Sequence, residues 1–372
     1  PGSSTPTTGR EHVFTVLPPD GFRKPAKTNA NFHAWNLQRR FGDDYRKHWA
    51  VMALDRTDNW GLTTIANWSD PMLWEMKRKP YVIFMRGWGI EQGVMGLADI
   101  YVPNYKSYVD SVAASQAAAR KNDPWLIGYF LGNEPPWPDR EALVIEKILS
   151  GRPTPMRKVL EAFLAEGDTP DRRKLFVHQT FEKFLSILNE ALKKYDPNHL
   201  NLGIRFGGTP PEALIKMARS FDVYSFNIYA YAVSPVYLDM LAQLTDKPML
   251  IGEYHFGTPG RGLAAGLGQV ADQKERGVAY QYYTENAFAH PSIVGTYWFT
   301  WYDQPNTGRN DGENYNIGVV DVTDRPYKEL IKGIVDTHKR LYNVHAGKLP
   351  AFNQMPKGAI EPDYPASLLK PK

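Results

Sequence analysis

The chain has 372 residues, 42% of them hydrophobic and 23% charged, and it contains no cysteine. That composition suits one large α/β domain and excludes disulfides, thiolate catalysis and Cys-ligated zinc. The net charge of +4 is small and scattered; it leaves no basic stripe for nucleic acid, and no stretch approaches the roughly 20 apolar residues of a membrane span.

The first residues, Pro1 to Gly9, show no initiator Met and no apolar signal core, and residues 1–30 read as a loop or a cut end. From about residue 45, helical and strand patterns alternate, as in βαβ units around a parallel sheet. Residues 45–59 read as a helix with Trp49, Met52 and Ala53 on one face, closed by Gly61. Strands are expected over 62–68, ending in Asn67-Trp68, and over 79–85, ending at Arg86-Gly87-Trp88. A helix over 105–120 follows, and then an apolar run that stops at Gly132-Asn133-Glu134-Pro135-Pro136-Trp137.

Residues 135–170 mix Pro, Arg and Glu without a clean period, which predicts a long loop with one short helix. A strong helix is expected over 177–194, then a strand over 200–206 containing Arg205, a helix over 211–220 and a strand over 223–231. After a helix over 235–244, the run Met249-Leu250-Ile251-Gly252-Glu253-Tyr254-His255 reads as a buried strand ending on a glutamate. A glycine-rich loop over 257–268 leads to a helix over 270–289, a last strand over 293–301 and a last helix over 327–341. These elements predict a (β/α)8 TIM barrel over residues 31–346, with 347–372 an extended tail packed outside. Seven strands are legible where the barrel needs eight; the first, missing or irregular, should precede Asn36, and residues 13–17 are a poor candidate because two prolines follow.

In such barrels the active site lies at the C-terminal strand ends. The polar and aromatic residues gathered there are Asn67, Trp68, Arg86, Trp88, Asn133, Glu134, Arg205, Asn227, Tyr229, Tyr231, Glu253, His255, Trp298 and Trp301. Strand alternation puts Glu253 and His255 on one face, and Asn227, Tyr229 and Tyr231 on another. Trp and Tyr at strand ends can equally be core or rim, and Arg86 and Arg205 can pair with structural carboxylates. Two buried, strand-terminal glutamates are harder to explain by packing, because burying a carboxylate is costly unless it is paired or used. Two such carboxylates are what hydrolysis of a glycosidic bond needs, one to protonate the leaving oxygen and one to attack or activate water. Chain-wide, 10 Trp, 21 Tyr and 17 Phe tilt the same way, since aromatic faces stack on sugar rings as well as packing cores.

Asn133-Glu134-Pro135 and Gly252-Glu253-Tyr254 resemble the acid/base and nucleophile signatures of clan A retaining glycoside hydrolases. Longer stretches resemble glycoside hydrolase family 50, the β-agarases: Asn36-Leu37-Gln38-Arg39-Arg40-Phe41-Gly42, Trp60-Gly61-Leu62-Thr63-Thr64-Ile65-Ala66-Asn67-Trp68, Ile251-Gly252-Glu253-Tyr254-His255-Phe256-Gly257, Asp303-Gln304-Pro305 and Asp311-Gly312-Glu313-Asn314-Tyr315-Asn316-Ile317-Gly318. The resemblance covers about residues 30–345. It departs from the family where Gly132 stands in place of the usual Asp before Asn-Glu, and the family's N-terminal carbohydrate-binding-like domain has no counterpart here.

The resemblance implies Glu134 as general acid/base and Glu253 as nucleophile. It also implies Asn133 on the sugar 2-hydroxyl, Tyr229 steadying Glu253, and Trp298 or Trp301 as the platform under the reacting sugar. Asn67, Trp68, Arg86, Arg205, Asn227 and His255 would line the cleft. His255 could instead be a metal ligand, although no second His stands in a ligand pattern; no metal or cofactor is expected. The loop over 303–315 would cap the cleft, with Asp311 or Glu313 touching sugar, or else be a turn-rich connector.

The leading reading is a retaining, exo-acting glycosidase of agarose or its oligosaccharides, secreted or periplasmic in a bacterium. Its partner would be a β-linked galactan, with no role for nucleic acid or membrane. A β-galactosidase, a porphyranase-like enzyme or a non-catalytic glycan-binding barrel are the alternatives. A metal-dependent hydrolase is disfavoured by the dispersed histidines, and a phosphate-binding barrel by the lack of a glycine-rich phosphate cradle.

Overall fold

The computed structural model describes residues 14–15, 29–309 and 311–359. Two short strands, β1 (Phe14–Thr15) and β2 (Asn29–Ala30), pair antiparallel. The remainder of the segment over residues 13–17, and of residues 1–30, lies outside the described residues. Helix α1 (Phe32–Phe41) begins at once, its first turn capped by the Asn31 side chain, which accepts from the Ala34 N–H. The missing first strand was expected to precede Asn36; among the described residues β2 and then this capped helix stand there. Helix α2 (Tyr45–Asn59) has the expected bounds and is followed by the short α3 (Pro71–Glu75).

Two parallel ladders follow. In the first, β3 (Tyr81–Phe84) pairs with β4 (Leu126–Phe130), and β4 with β5 (Leu200–Asn201). In the second, β6 (Phe206–Gly207), β7 (Tyr224–Asn227), β8 (Met249–Tyr254) and β9 (Ile293–Trp298) lie in chain order. Helices α4 (Tyr105–Ala117), α8 (Glu212–Met217), α9 (Pro235–Thr245), α10 (Gln273–Phe288) and α11 (Lys328–His345) connect or flank them.

Three expectations need correcting. Residues 135–170 hold two helices, α5 (Glu141–Ser150) and α6 (Pro155–Ala165), and a third, α7, runs Pro170–Tyr195. Two of the prolines that suggested a loop, Pro155 and Pro170, sit in the first turns of α6 and α7, where no N–H is needed, behind Thr154 and Thr169 caps. The strand expected over 200–206 is split between β5 and β6, with Gly203 at φ +78° and Arg205 at φ +50° in the break. The strand expected over 62–68 shrinks to one parallel bridge, Ile65 to Tyr81.

The core has two layers. Val82, Phe130, Leu202, Val223, Leu250 and Tyr297, from or beside β3, β4, β5, β7, β8 and β9, meet on the inner face of the strands. A larger cluster fills the space between strands and helices. There α10 and α11 approach closely because both carry glycine at the crossing: a Cβ on Gly333 would lie 2.5 Å from the Gly277 Cα. Residues 350–357 lie along α10, with the Phe352 and Lys357 N–H groups donating to Glu285 and Glu275.

Among the described residues the ladders do not join into a closed ring. The opening lies between the segment around Ile65 and β9. A cavity of about 700 Å³ fills it, lined by residues 64–68 on one side and 296–302 on the other, with Trp49, Ala53 and Leu54 of α2 behind. Glu253 lies at its edge.

Candidate active site

Glu253 is the penultimate residue of β8 and is buried. Its two carboxylate oxygens are unequally held. Oε1 accepts from Arg205 Nη2 (2.5 Å) and from the Trp68 indole Nε1 (2.9 Å), whereas Oε2 accepts from the Tyr229 hydroxyl (2.6 Å). Arg205 is fully buried and also donates to the Gly252 carbonyl at 2.9 Å. A buried charge pair of this kind holds only when geometry and further hydrogen bonds are good. Gly252 makes the geometry possible, because a Cβ there would meet Asn227 Oδ1 at 2.5 Å and Arg205 Nε at 2.7 Å. Burial, and then the neighbouring Glu253 charge, raise the Tyr229 phenol well above its ordinary value, so Tyr229 stays a donor.

Glu134 lies beyond the end of β4 at φ +42°. Its backbone N–H donates to the Arg205 carbonyl (3.1 Å). Arg205 therefore serves both carboxylates, Glu134 through its main chain and Glu253 through its guanidinium. Asn227 Nδ2 donates to Glu134 Oε1 (2.8 Å) and to Asn133 Oδ1 (3.3 Å). Burial pushes the Glu134 carboxyl above the ordinary carboxylate range, and the charge of Glu253 adds to that; the Asn227 hydrogen bond opposes it. One carboxylate is ringed by donors and the other is biased toward its protonated form.

The other sequence-predicted residues divide. Asn67, turned with its amide oxygen inward, accepts from Trp68 Nε1 (3.0 Å) and from Arg205. The Arg86 guanidinium lies over the Trp68 ring, 5.3 Å from its centroid. Asn67, Trp68, Arg86, Asn133, Glu134, Arg205, Asn227, Tyr229 and Glu253 thus form one connected group.

His255 sits differently from the expected cleft donor. It is buried, its Nε2 accepts from the Leu267 N–H (3.0 Å), and burial aided by Arg276 pushes its pKa down to about 3. It is a neutral anchor for the glycine-rich loop after β8. Among the described residues, no three His, Cys, Asp or Glu side chains are grouped to hold a metal ion.

Trp298 and Trp301 border the cavity and are also tied into the packing behind it. Trp298 points to the helix side, edge-on to Tyr254, with its indole donating to the Thr300 and Ile317 carbonyls. Trp301, half-buried, stacks on Trp60 at 5.5 Å and packs against the larger core. Trp88 is fully buried, and Tyr231 donates to the Gln269 carbonyl. Alternation from the inward Tyr297 puts Phe299, which the sequence reading passed over, on the inner face. Phe299 lines the cavity beside Glu253, with the Arg309 guanidinium 5.4 Å from its ring centroid.

The segment after β9 is tied to itself. Gln304 donates to Glu313, Arg309 pairs with Asp311 (2.5 Å), and Tyr315 bridges to Ala264. Asp311 is thereby engaged by Arg309, and Glu313 is near enough to add to the rise in the Glu134 pKa.

No protein-family model matches the sequence. The chain is 32% identical over 370 residues to β-agarase B of Vibrio sp. (strain JT0107), covering 84% of this chain and 38% of that protein. A solved exo-β-agarase superposes with a TM-score of 0.77 at 28% identity, covering 87% of this chain and 52% of the other. The solved protein PfGH50B gives a TM-score of 0.78 at 28% identity over 90% of this chain and 56% of its own. The chain thus spans about two fifths of the curated relative and about half of the solved structures. Sequence and fold agree on one assignment: the chain belongs to glycoside hydrolase family 50.

Proposed function

We propose that this chain is a retaining glycoside hydrolase that cleaves β-galactosidic bonds of agarose or its oligosaccharides, with Glu253 as nucleophile and Glu134 as acid/base. The observation that carries this reading is the contrast between the two carboxylates. Glu253 meets Arg205, Trp68 and Tyr229, while Glu134, at the exposed rim with its carboxyl partly desolvated, meets only an amide donor. A nucleophile must be ionised and a general acid protonated at the same pH.

In the first step a Glu253 oxygen attacks the anomeric carbon while Glu134 donates its proton to the departing glycosidic oxygen. Loss of that proton leaves Glu134 a base. It then takes a proton from water, which attacks the same carbon and releases the sugar with its configuration retained. Asn133, held by Asn227, would bond the sugar 2-hydroxyl, where hydrogen bonding strengthens toward the transition state. Phe299, beside Trp298 and Trp301 on the cavity wall, joins them as apolar floor in this reading.

The architecture we infer is a (β/α)8 barrel whose wall is irregular between Ile65 and β9. Exo action and a secreted or periplasmic setting belong to the same proposal, supported by the exo-β-agarase likeness and by a polymeric substrate respectively. Incubation with agarose and neoagaro-oligosaccharides, with products followed by chromatography and by proton NMR of the new anomeric centre, tests it. Release of β-configured disaccharide first, absent in Glu253→Ala, is expected. Initial release of the α anomer overturns the retaining mechanism, and failure of folded wild type to cleave any agarose oligosaccharide overturns the substrate.

A further inference from the structure

Trp68 is unusual in three respects. It is 42% exposed, its backbone has φ +68°, and its indole N–H is shared between the Glu253 carboxylate (2.9 Å) and the Asn67 amide oxygen (3.0 Å) rather than given to solvent. A bulky residue in the left-handed region is strained and persists only where its surroundings fix it. They do so here. The ring packs on Phe84 at 4.4 Å, and the guanidinium carbons of Arg86 and Arg205 lie 5.3 Å and 5.4 Å from its centroid.

We propose that Trp68 is a positioning residue that selects which oxygen of Glu253 reacts, leaving Oε2 to attack and keeping Oε1 as the carbonyl oxygen of the glycosyl ester. This rests on the retaining reading above. A carboxylate oxygen offers about two lone-pair sites. On Oε1 Arg205 and Trp68 take both; on Oε2 Tyr229 takes one. The free pair of Oε2 therefore forms the bond to the anomeric carbon. The breaking glycosidic bond leaves its electrons on the departing oxygen, which receives the Glu134 proton. In the second step water attacks that carbon and Glu134 removes the water's proton. The electrons of the ester C–O bond return to Glu253, where the charge is shared with Oε1. Two fixed donors at Oε1 stabilise this returning charge without reorganising.

Trp68→Phe tests the proposal, since it keeps an apolar ring and removes the N–H. With neoagarotetraose as substrate, kcat should fall about tenfold to a hundredfold, the worth of a hydrogen bond to a charged group. KM should fall with it, because the slowed ester hydrolysis lets the covalent species accumulate. A residue that only stacks on sugar predicts unchanged kcat and KM in the same variant, and that result overturns the proposal. A second readout needs no substrate. The Trp68 indole resonance, assigned in 15N-labelled protein by its loss in Trp68→Phe, should move upfield in Glu253→Ala. No movement overturns the contact itself. Wild type inert on agarose oligosaccharides, with the resonance still responding, counts against the substrate reading and not against the Trp68–Glu253 contact.

Discussion

Glu253 and Glu134 are the same side chain at two strand ends, and the fold treats them in opposite ways. Glu253 lies within β8, with Gly252 beside it leaving room for a fully buried Arg205, and three donors converge on its two oxygens. Glu134 lies past the end of β4 at φ +42°, its residue exposed at the rim and its carboxyl only partly desolvated, with one amide donor and a negative neighbour. Charge is stabilised at one site by what touches it. At the other, partial desolvation and a negative neighbour raise the pKa and favour the protonated form. Arg205 couples the two, so neither environment is built independently.

Several substitutions break or sharpen this contrast. The largest effect is expected from Glu253→Ala, which removes the attacking group. Turnover should fall by more than the roughly 10⁴-fold ceiling typical of losing a proton-transfer group, as measured on neoagarotetraose with folding checked by circular dichroism. Glu134→Gln should cost on the order of 10²–10⁴-fold. It should also abolish the high-pH decline in kcat/KM. In wild type that decline follows from the raised Glu134 pKa: the acid is protonated below it and lost as pH rises through it.

Gly252→Ala sharpens the comparison from the other direction. The added Cβ collides with Arg205 and Asn227, so the donors of both carboxylates are displaced together. Overpacking of this kind costs typically 1–3 kcal/mol; kcat and thermal stability should both drop, seen by kinetics and calorimetry. The smallest effect is on stability alone. Because the folded Glu134 pKa lies above its unfolded value, the associated stability is present below the unfolded pKa and is lost as pH rises through the folded one. Glu134→Gln should therefore melt above wild type at alkaline pH, with the gap closing as pH falls.

Much of this contrast was legible in the chain. The helix Tyr45–Asn59 follows its periodicity to the residue, and the two glutamates stand at the ends of apolar runs where the alternating pattern puts strand termini. What misled the reading was local chemistry with two meanings. Pro155 and Pro170 read as loop punctuation, yet each opens a helix behind a threonine cap. Trp298 was read as a sugar platform; it borders the cavity but packs edge-on to Tyr254, and strand alternation turns the less conspicuous Phe299 inward. That signal was present and needed only one inward neighbour to set the phase. The strand missing from the sequence count has a counterpart in the cavity between Ile65 and β9.

The sequence by itself determined the alternation of helix and strand, the two carboxylates and the family, because these depend on periodicity and on short contiguous motifs. Only the tertiary structure decided that the Glu134 pKa is raised and that Arg205 serves both carboxylates. Only it turned His255 into a neutral anchor for a loop and bound the Trp68 indole to Glu253. Protonation and hydrogen-bond partnership depend on burial and on distances between groups far apart in the chain. Trp68 and Glu253 are 185 residues apart, and no local pattern encodes which oxygen such a partner will meet.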